Sequence, residues 1–336
     1  MGPSVTWLRV LRLSVGVWAA MAATQRAAGQ VVQVPLEPAC AASVETGVIV
    51  RGPWGSGPGQ FGKVDEASRP GPMDFAVTDK GLYVLDPVNT RVQLFGWDGG
   101  FKQAIPIGTK TADFLAVDER GQVVVLDAFV QRDLRIFSPA GELVAQKRLP
   151  GSIGLPSTVL TEDGRIYIEE RHNLVYEVSV TGDRSGAPAQ VVGSLAGRPR
   201  PGRHAAVHVT KEGTHAVVIR TARDAAAAQP VTLQFPRPIS AVVGVEFDEN
   251  GRIYVASTSP RDPGRDAWKA DVLLTVLGPD GLLVGALCLP DAYITDHYRK
   301  LVVSRTGDII QMQTTADGVR FVRWTLPAPA EGGKSR

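Results

Sequence analysis

The sequence predicts an all-β protein in which one short four-stranded sheet repeats six times around an axis. Three observations predict it. An apolar run, a polar turn ending in glycine and a second apolar run occur six times. The turn glycines, Gly81, Gly121, Gly164, Gly213, Gly251 and Gly307, are spaced by 40, 43, 49, 38 and 56 residues. Several units carry a second hairpin, which brings the unit to four strands in about 40–45 residues, the period of a β-propeller blade. The fold class is therefore a six-bladed β-propeller of four-stranded blades.

The units follow in chain order. They are FAVTDKGLYVLD (75–86), LAVDERGQVVVLD (115–127), TVLTEDGRIYIEE (158–170), AVHVTKEGTHAVVIR (206–220), VEFDENGRIYVAS (245–257) and LVVSRTGDIIQMQ (301–313). Val, Ile and Tyr recur in the flanking runs, as a half-buried pleated surface demands. Asp79, Glu119, Asp163 and Asn250 are polar turn residues. Second hairpins follow across Asp98-Gly99, Pro139-Ala140-Gly141 and Asp280-Gly281. The fourth unit is irregular, and four clean strands do not fit between Ala206 and Phe235. The long spacing there also leaves room for a seventh, degenerate blade near 185–235.

One unit carries a more specific pattern. Gly59, Gln60, Phe61, Gly81, Tyr83, Val84, Asp86, Asn89, Arg91, Val92 and Phe95 resemble an NHL repeat, with its Gly-Gln-Phe entry, Tyr-Val-x-Asp second strand and Asn-x-Arg-Val third strand. The second unit keeps Asp127, Leu134 and Phe137 but lacks the Asn-x-Arg step. The motif match covers 55–140 and the architectural one about 47–325. The resemblance implies a six-bladed propeller, in a family mostly of binding modules with some lyases.

Closure is expected from strand counting. The last unit offers three strands, YRKLVV, DIIQMQ and VRFVRWTL, while GVIVRGPWG near the start has no unit of its own. An open edge invites aggregation. The stretch from Val48 to Arg51 is therefore expected as the outer strand of the last blade.

Composition sets the class. Of 336 residues 44% are apolar and 21% charged, with 36 Gly and 24 Pro, a globular, turn-rich chain. No basic block provides a nucleic-acid footprint. Arg9 and Arg12, an apolar run from Leu13, and the small residues Ala27, Ala28 and Gly29 form a secretory signal pattern. The apolar run is shorter than the ~20 residues a membrane span needs. Removing 1–29 leaves 33 basic against 34 acidic residues. The expected organisation is a signal peptide over 1–29, an N-terminal segment over 30–46, one propeller over 47–327 and a disordered tail over 328–336. Export, to the periplasm or outside the cell, permits a Cys40–Cys288 disulfide; two buried thiols are the alternative.

Function is less legible. No G-x-S-x-G, H-E-x-x-H, P-loop or dinucleotide motif occurs. The Gly turns are uniform, whereas the loops on the opposite face vary, so recognition is expected on the loop-rich face and channel mouth. Partner-binding candidates there are Arg171 and His172, and Arg261, Arg265 and Trp268 in the insertion 258–271. The leading function is an exported, monomeric, non-catalytic module for a protein, peptide or glycan, with no cofactor and no nucleic acid. The alternative is a metal-dependent propeller enzyme of lactonase or lyase kind. It would hold Ca²⁺ or Zn²⁺ in the channel through Asp74, Asp113, His204 and His208.

Overall fold

The computed structural model describes residues 29–326 except 37–39, 41–42, 67–68, 171–173, 181–186, 201–202, 223–229, 261–269 and 291. Residues 1–28 of the expected signal segment and the tail thus lie outside the described residues, as do Arg171, His172, Arg261, Arg265 and Trp268.

Six separate sheets form the ring, which settles the count at six blades. Blade 1 runs Asp74–Thr78, Gly81–Asp86, Arg91–Phe95 and Phe101–Pro106 in simple antiparallel order. Blade 2 (114–148), blade 3 (156–196) and blade 5 (241–289) repeat that order. The first strand of each blade lines the axis. The hairpin glycines serve as expected. Gly121, at φ +85°, closes its turn by donating its N–H to Asp118 O, a backbone conformation that a side chain would strain.

The N-terminal chain completes two blades. Strand β1 (Gln30–Gln33) pairs in parallel with Val231–Gln234 and is the outer strand of blade 4. Strand β2 (Val44–Gly52) pairs antiparallel with Gly318–Thr325 and closes blade 6, with Val48 opposite Val322 and Arg51 opposite Arg320. The closing strand is the expected one, only longer. Between the two, Cys40 is bonded to Cys288 on the outer strand of blade 5, and Cys288 N–H donates to Ser43 Oγ at 2.8 Å. One segment therefore straps three consecutive blades from outside.

Blade 4 explains its own irregularity. It contributes Arg203–Glu212, Ala216–Ala222 and Val231–Gln234, takes its outer strand from β1, and adds Arg198–Arg200 as a fifth strand on the channel side. No local pattern could supply a strand borrowed from residue 30. In blade 6, Tyr298 to Lys300 belong to the incoming connection, and the inner strand is Leu301–Val303 alone.

The cores lie between blades rather than within them. Phe61, Phe75, Phe95 and Phe321 pack between blades 6 and 1, with Phe75 and Phe321 rings 5.1 Å apart. Similar apolar clusters fill the junctions of blades 1 and 2, 2 and 3, 4 and 5, and 5 and 6. Val32, Val34 and Leu36 from the strap join the one between blades 4 and 5. Among the described residues, the junction of blades 3 and 4 instead holds a buried ion pair, Arg198 with Glu169, at 2.8 Å.

The NHL-like residues converge on one place. Asp86 is fully buried and accepts from Gly62 N–H and Asn89 Nδ2 while pairing with Arg91 Nε at 3.1 Å. Arg91 also donates to the carbonyls of Ser56, Gly57 and Gln60. The Asn-x-Arg step thus stitches the Gly-Gln-Phe entry loop to blade 1. It is a structural device, and neither Asp86 nor Arg91 lines the cavities described below.

Candidate functional site

The axial channel has two openings, built differently. The loop-rich mouth is set by the starts of the inner strands. Asp74, the first residue of its strand, is fully buried. Its carboxylate accepts Phe75 N–H at 2.7 Å and Leu115 N–H at 2.8 Å. Arg299, from the connection between blades 5 and 6, crosses the channel to it, with Nε 3.2 Å from Asp74 Oδ1 and Nη2 donating to Thr158 Oγ1 at 2.7 Å. Burial pushes the Asp74 pKa up to about 6 against the pull of the Arg299 cation. Deeper in, Arg198 is held by both oxygens of Glu169 and donates to Val245 O. Burial opposes its charge, and Glu169 more than compensates. These groups leave a cavity of about 40 Å³, lined among others by Phe114, Ser157, Thr158, Arg198, Glu246 and Arg299.

Beside this cavity stands an aromatic shelf. Tyr298 lies 4.8 Å from buried Phe114 and 6.0 Å from Phe129, centroid to centroid. Phe129 is 43% exposed and Tyr298 46%, and Val130 and Leu155 are exposed in the neighbouring loops. Arg132 ties those loops together by donating to Ala128 O, Ile153 O and Gly154 O. Asp113 accepts Ala128 N–H at 2.8 Å and the Tyr298 hydroxyl. Burial raises Asp113 to about 6, and burial together with the Asp113 charge raises Tyr298 to about 12. The shelf is thus fixed from below by a hydrogen bond and from the side by packing.

The Gly-turn mouth holds the larger space, about 560 Å³, bounded by blades 6, 1, 2 and 3. Uniform turns are therefore not scaffold alone. Lys80, Trp97, Glu119, Glu162, Asp163 and Arg305 are on its wall. Oxygens of Glu119, Glu162 and Asp163 lie within 4.8 Å of one another, a set that could hold a metal ion. Arg305 Nη1 is 3.3 Å from Glu119. Burial, then the charge of Asp163, pushes Glu162 up to about 7.

Among the described residues, Asp74, Asp113 and His208 are not among the side chains grouped as a possible metal site. Asp74 and Asp113 are committed to backbone amides, Arg299 and Tyr298. His204 and His208 share one inner strand of blade 4, and the His204 side chain lies outside the described residues. His208 stands opposite Arg220, and burial and that cation both lower its pKa. Sequence reasoning missed Phe129, Tyr298, Arg299 and Arg198. The short segment from Thr295 to Lys300 offered a signal, since a Tyr-Arg pair between blades enters the channel mouth.

No protein-family model matches the chain. Among solved structures it is similar to hydrazine synthase of Kuenenia stuttgartiensis (12% identity, TM-score 0.48, 74% of each chain covered). It is also similar to a streptogramin B lyase (12% identity, TM-score 0.43, 85% of this chain and 97% of that one). A third is a member of the duf4221 family from Bacteroides vulgatus (11% identity, TM-score 0.47, 85% and 98%). Among the described residues no helix is long and apolar enough to cross a membrane.

Proposed function

We propose that this protein is an exported, non-catalytic binding module with an NHL-like propeller, and that it recognises a protein or peptide on its loop-rich face. The observation that carries the reading is the exposed shelf of Phe129 and Tyr298 beside the channel mouth. Aromatic side chains supply large contact area at low entropic cost, and anchors of this kind dominate binding energy. The Cys40–Cys288 bond fits an oxidising compartment. The test is selection from a displayed random-peptide library on the purified protein, followed by affinity measurement on Phe129→Ser and Tyr298→Ala. Loss of a hot-spot contact predicts weakening of about 30-fold or more. Selected peptides that bind both variants as tightly as the parent would overturn the reading.

A second reading is favoured by the carboxylates of Glu119, Glu162 and Asp163 in the Gly-turn cavity, which would serve a metal-dependent enzyme. Calorimetric titration with Ca²⁺ and Zn²⁺ tests it. Heat of binding that disappears in Glu162→Gln supports it, and no binding of either ion removes it.

A further inference from the structure

The loop-rich mouth also bears on what kind of peptide it takes. This inference rests on the binding reading above. A guanidinium has five N–H donors in a planar fork. Arg299 commits Nε to Asp74 and one Nη2 donor to Thr158, and Nη1 makes no hydrogen bond to the described residues. The second cavity arginine is differently placed, because Glu169 takes it bidentately and Glu246 lies 3.7 Å from its Nη1. Arg299 Nη1 is thus a donor at a cavity of about 40 Å³, whose wall Lys300 also joins. That space holds about two or three waters, which is also about the size of one carboxylate. An internal aspartate or glutamate carries its carboxylate on a bare methylene, with no apolar group beside it. Phe114 and Tyr298 line both this cavity and the aromatic shelf. A ligand filling both must carry its carboxylate and an apolar group on neighbouring atoms. A chain terminus does so: the last residue presents carboxylate and side chain from one Cα.

We propose that the loop-rich mouth receives the C-terminal carboxylate of a protein or peptide that ends in an apolar residue, with Arg299 as the anchor and the Phe114–Phe129–Tyr298 shelf as the seat of the last side chain. The arrangement selects chain ends over internal sequence, because an internal residue offers a neutral amide where Arg299 requires an anion.

The experiment uses two libraries on the full-length mature protein, one displayed with free C-termini and one with the C-terminus fused to the carrier. Enrichment is expected only from the first, with apolar last residues. A selected peptide is then synthesised with a free carboxylate and with a C-terminal amide. The amide is expected to bind at least about 10-fold more weakly, as for a lost charge-assisted bond. Arg299→Lys should narrow the difference between the two forms. The amide comparison is made on the unaltered protein, so it stands even if that variant folds poorly. Equal affinity of acid and amide overturns the proposal, as does enrichment from the fused library of peptides with internal Asp or Glu. Either result leaves the shelf reading intact if Phe129→Ser still abolishes binding. Binding indifferent to Phe129→Ser removes the shelf reading itself.

Discussion

The strap makes a quantitative demand on stability. Cys40 and Cys288 are separated by 248 residues, and their bond closes almost the whole ring. In the chain-entropy account a loop of that length removes about 18 cal/mol/K from the unfolded ensemble, or about 5.5 kcal/mol at 25 °C. Measured effects of native disulfides fall at 2–5 kcal/mol, because the reduced unfolded chain keeps some compactness. The perturbation is the double substitution Cys40→Ser and Cys288→Ser. The packing loss is small, since both residues are only partly buried neighbours of the cluster between blades 4 and 5. The assay is urea unfolding followed by tryptophan fluorescence. With a slope of about 3 kcal/mol/M, the midpoint should fall by about 0.7–1.7 M. The paired Val32, Val34 and Leu36 should still hold β1 in place, so far-UV circular dichroism of the variant should match the parent in the absence of urea. A midpoint unchanged within 0.2 M would refute the reasoning, because it would mean that the strap is pinned by its strands alone.

Other consequences are as direct. Arg91→Ala should cost about 3–5 kcal/mol, since it leaves buried Asp86 without its cation and Ser56 O without this donor, while Gly57 O keeps Gln60 N–H and Gln60 O keeps Gln93 Nε2; thermal unfolding would read it, and a loss under 1 kcal/mol would sink the stitching role. Asp113 has a folded pKa of about 6 against 3.8, so the native state holds its proton longer than the unfolded one. Its contribution is therefore greatest below pH 3.8 and lost as pH rises through 6, by up to about 3 kcal/mol. Asp113→Asn should thus gain on the parent between pH 4 and pH 7.5 in urea midpoints, and a pH-independent difference would contradict the assignment. Phe321→Ala, which empties the junction of blades 6 and 1, should cost about 3–5 kcal/mol by calorimetry, with little change if that junction were not a core.

What could be read from the sequence follows from the range of the interactions involved. Hairpins depend on neighbouring residues, so the Gly turns, the blade period and the closing strand at Val48 to Arg51 were all legible. The Gly-Gln-Phe and Asn-x-Arg residues were legible as a motif, although their joint role around Asp86 needed coordinates. The parallel strand β1 was not, because it pairs with residues 201 positions away (Gln30 with Val231) and has only four residues of alternating pattern. Nor was the Arg299–Thr158 contact, which spans 141 residues across the axis. The carboxylates Asp74 and Asp113 were placed at the loop-rich end of the channel by strand direction alone, but strand direction says nothing about which cation or amide will meet them. The Gly-turn cavity escaped for a related reason. Each turn is regular by itself, and the space arises only from the juxtaposition of four blades.

The strap also sets an order of events during synthesis. Residues 30–52 leave the ribosome early, yet β1 has no strand to lie against until Val231–Gln234 has been made, and β2 none until Gly318–Thr325. Blades 1, 2 and 3 are built from contiguous chain and can form in succession as they emerge. Until those strands exist the leading segment lacks the partners it has in the finished ring, and Cys40 lacks Cys288. The final act of folding is thus the docking of the oldest part of the chain, and a truncation that removes only the last strand would leave both ends of the molecule unfinished.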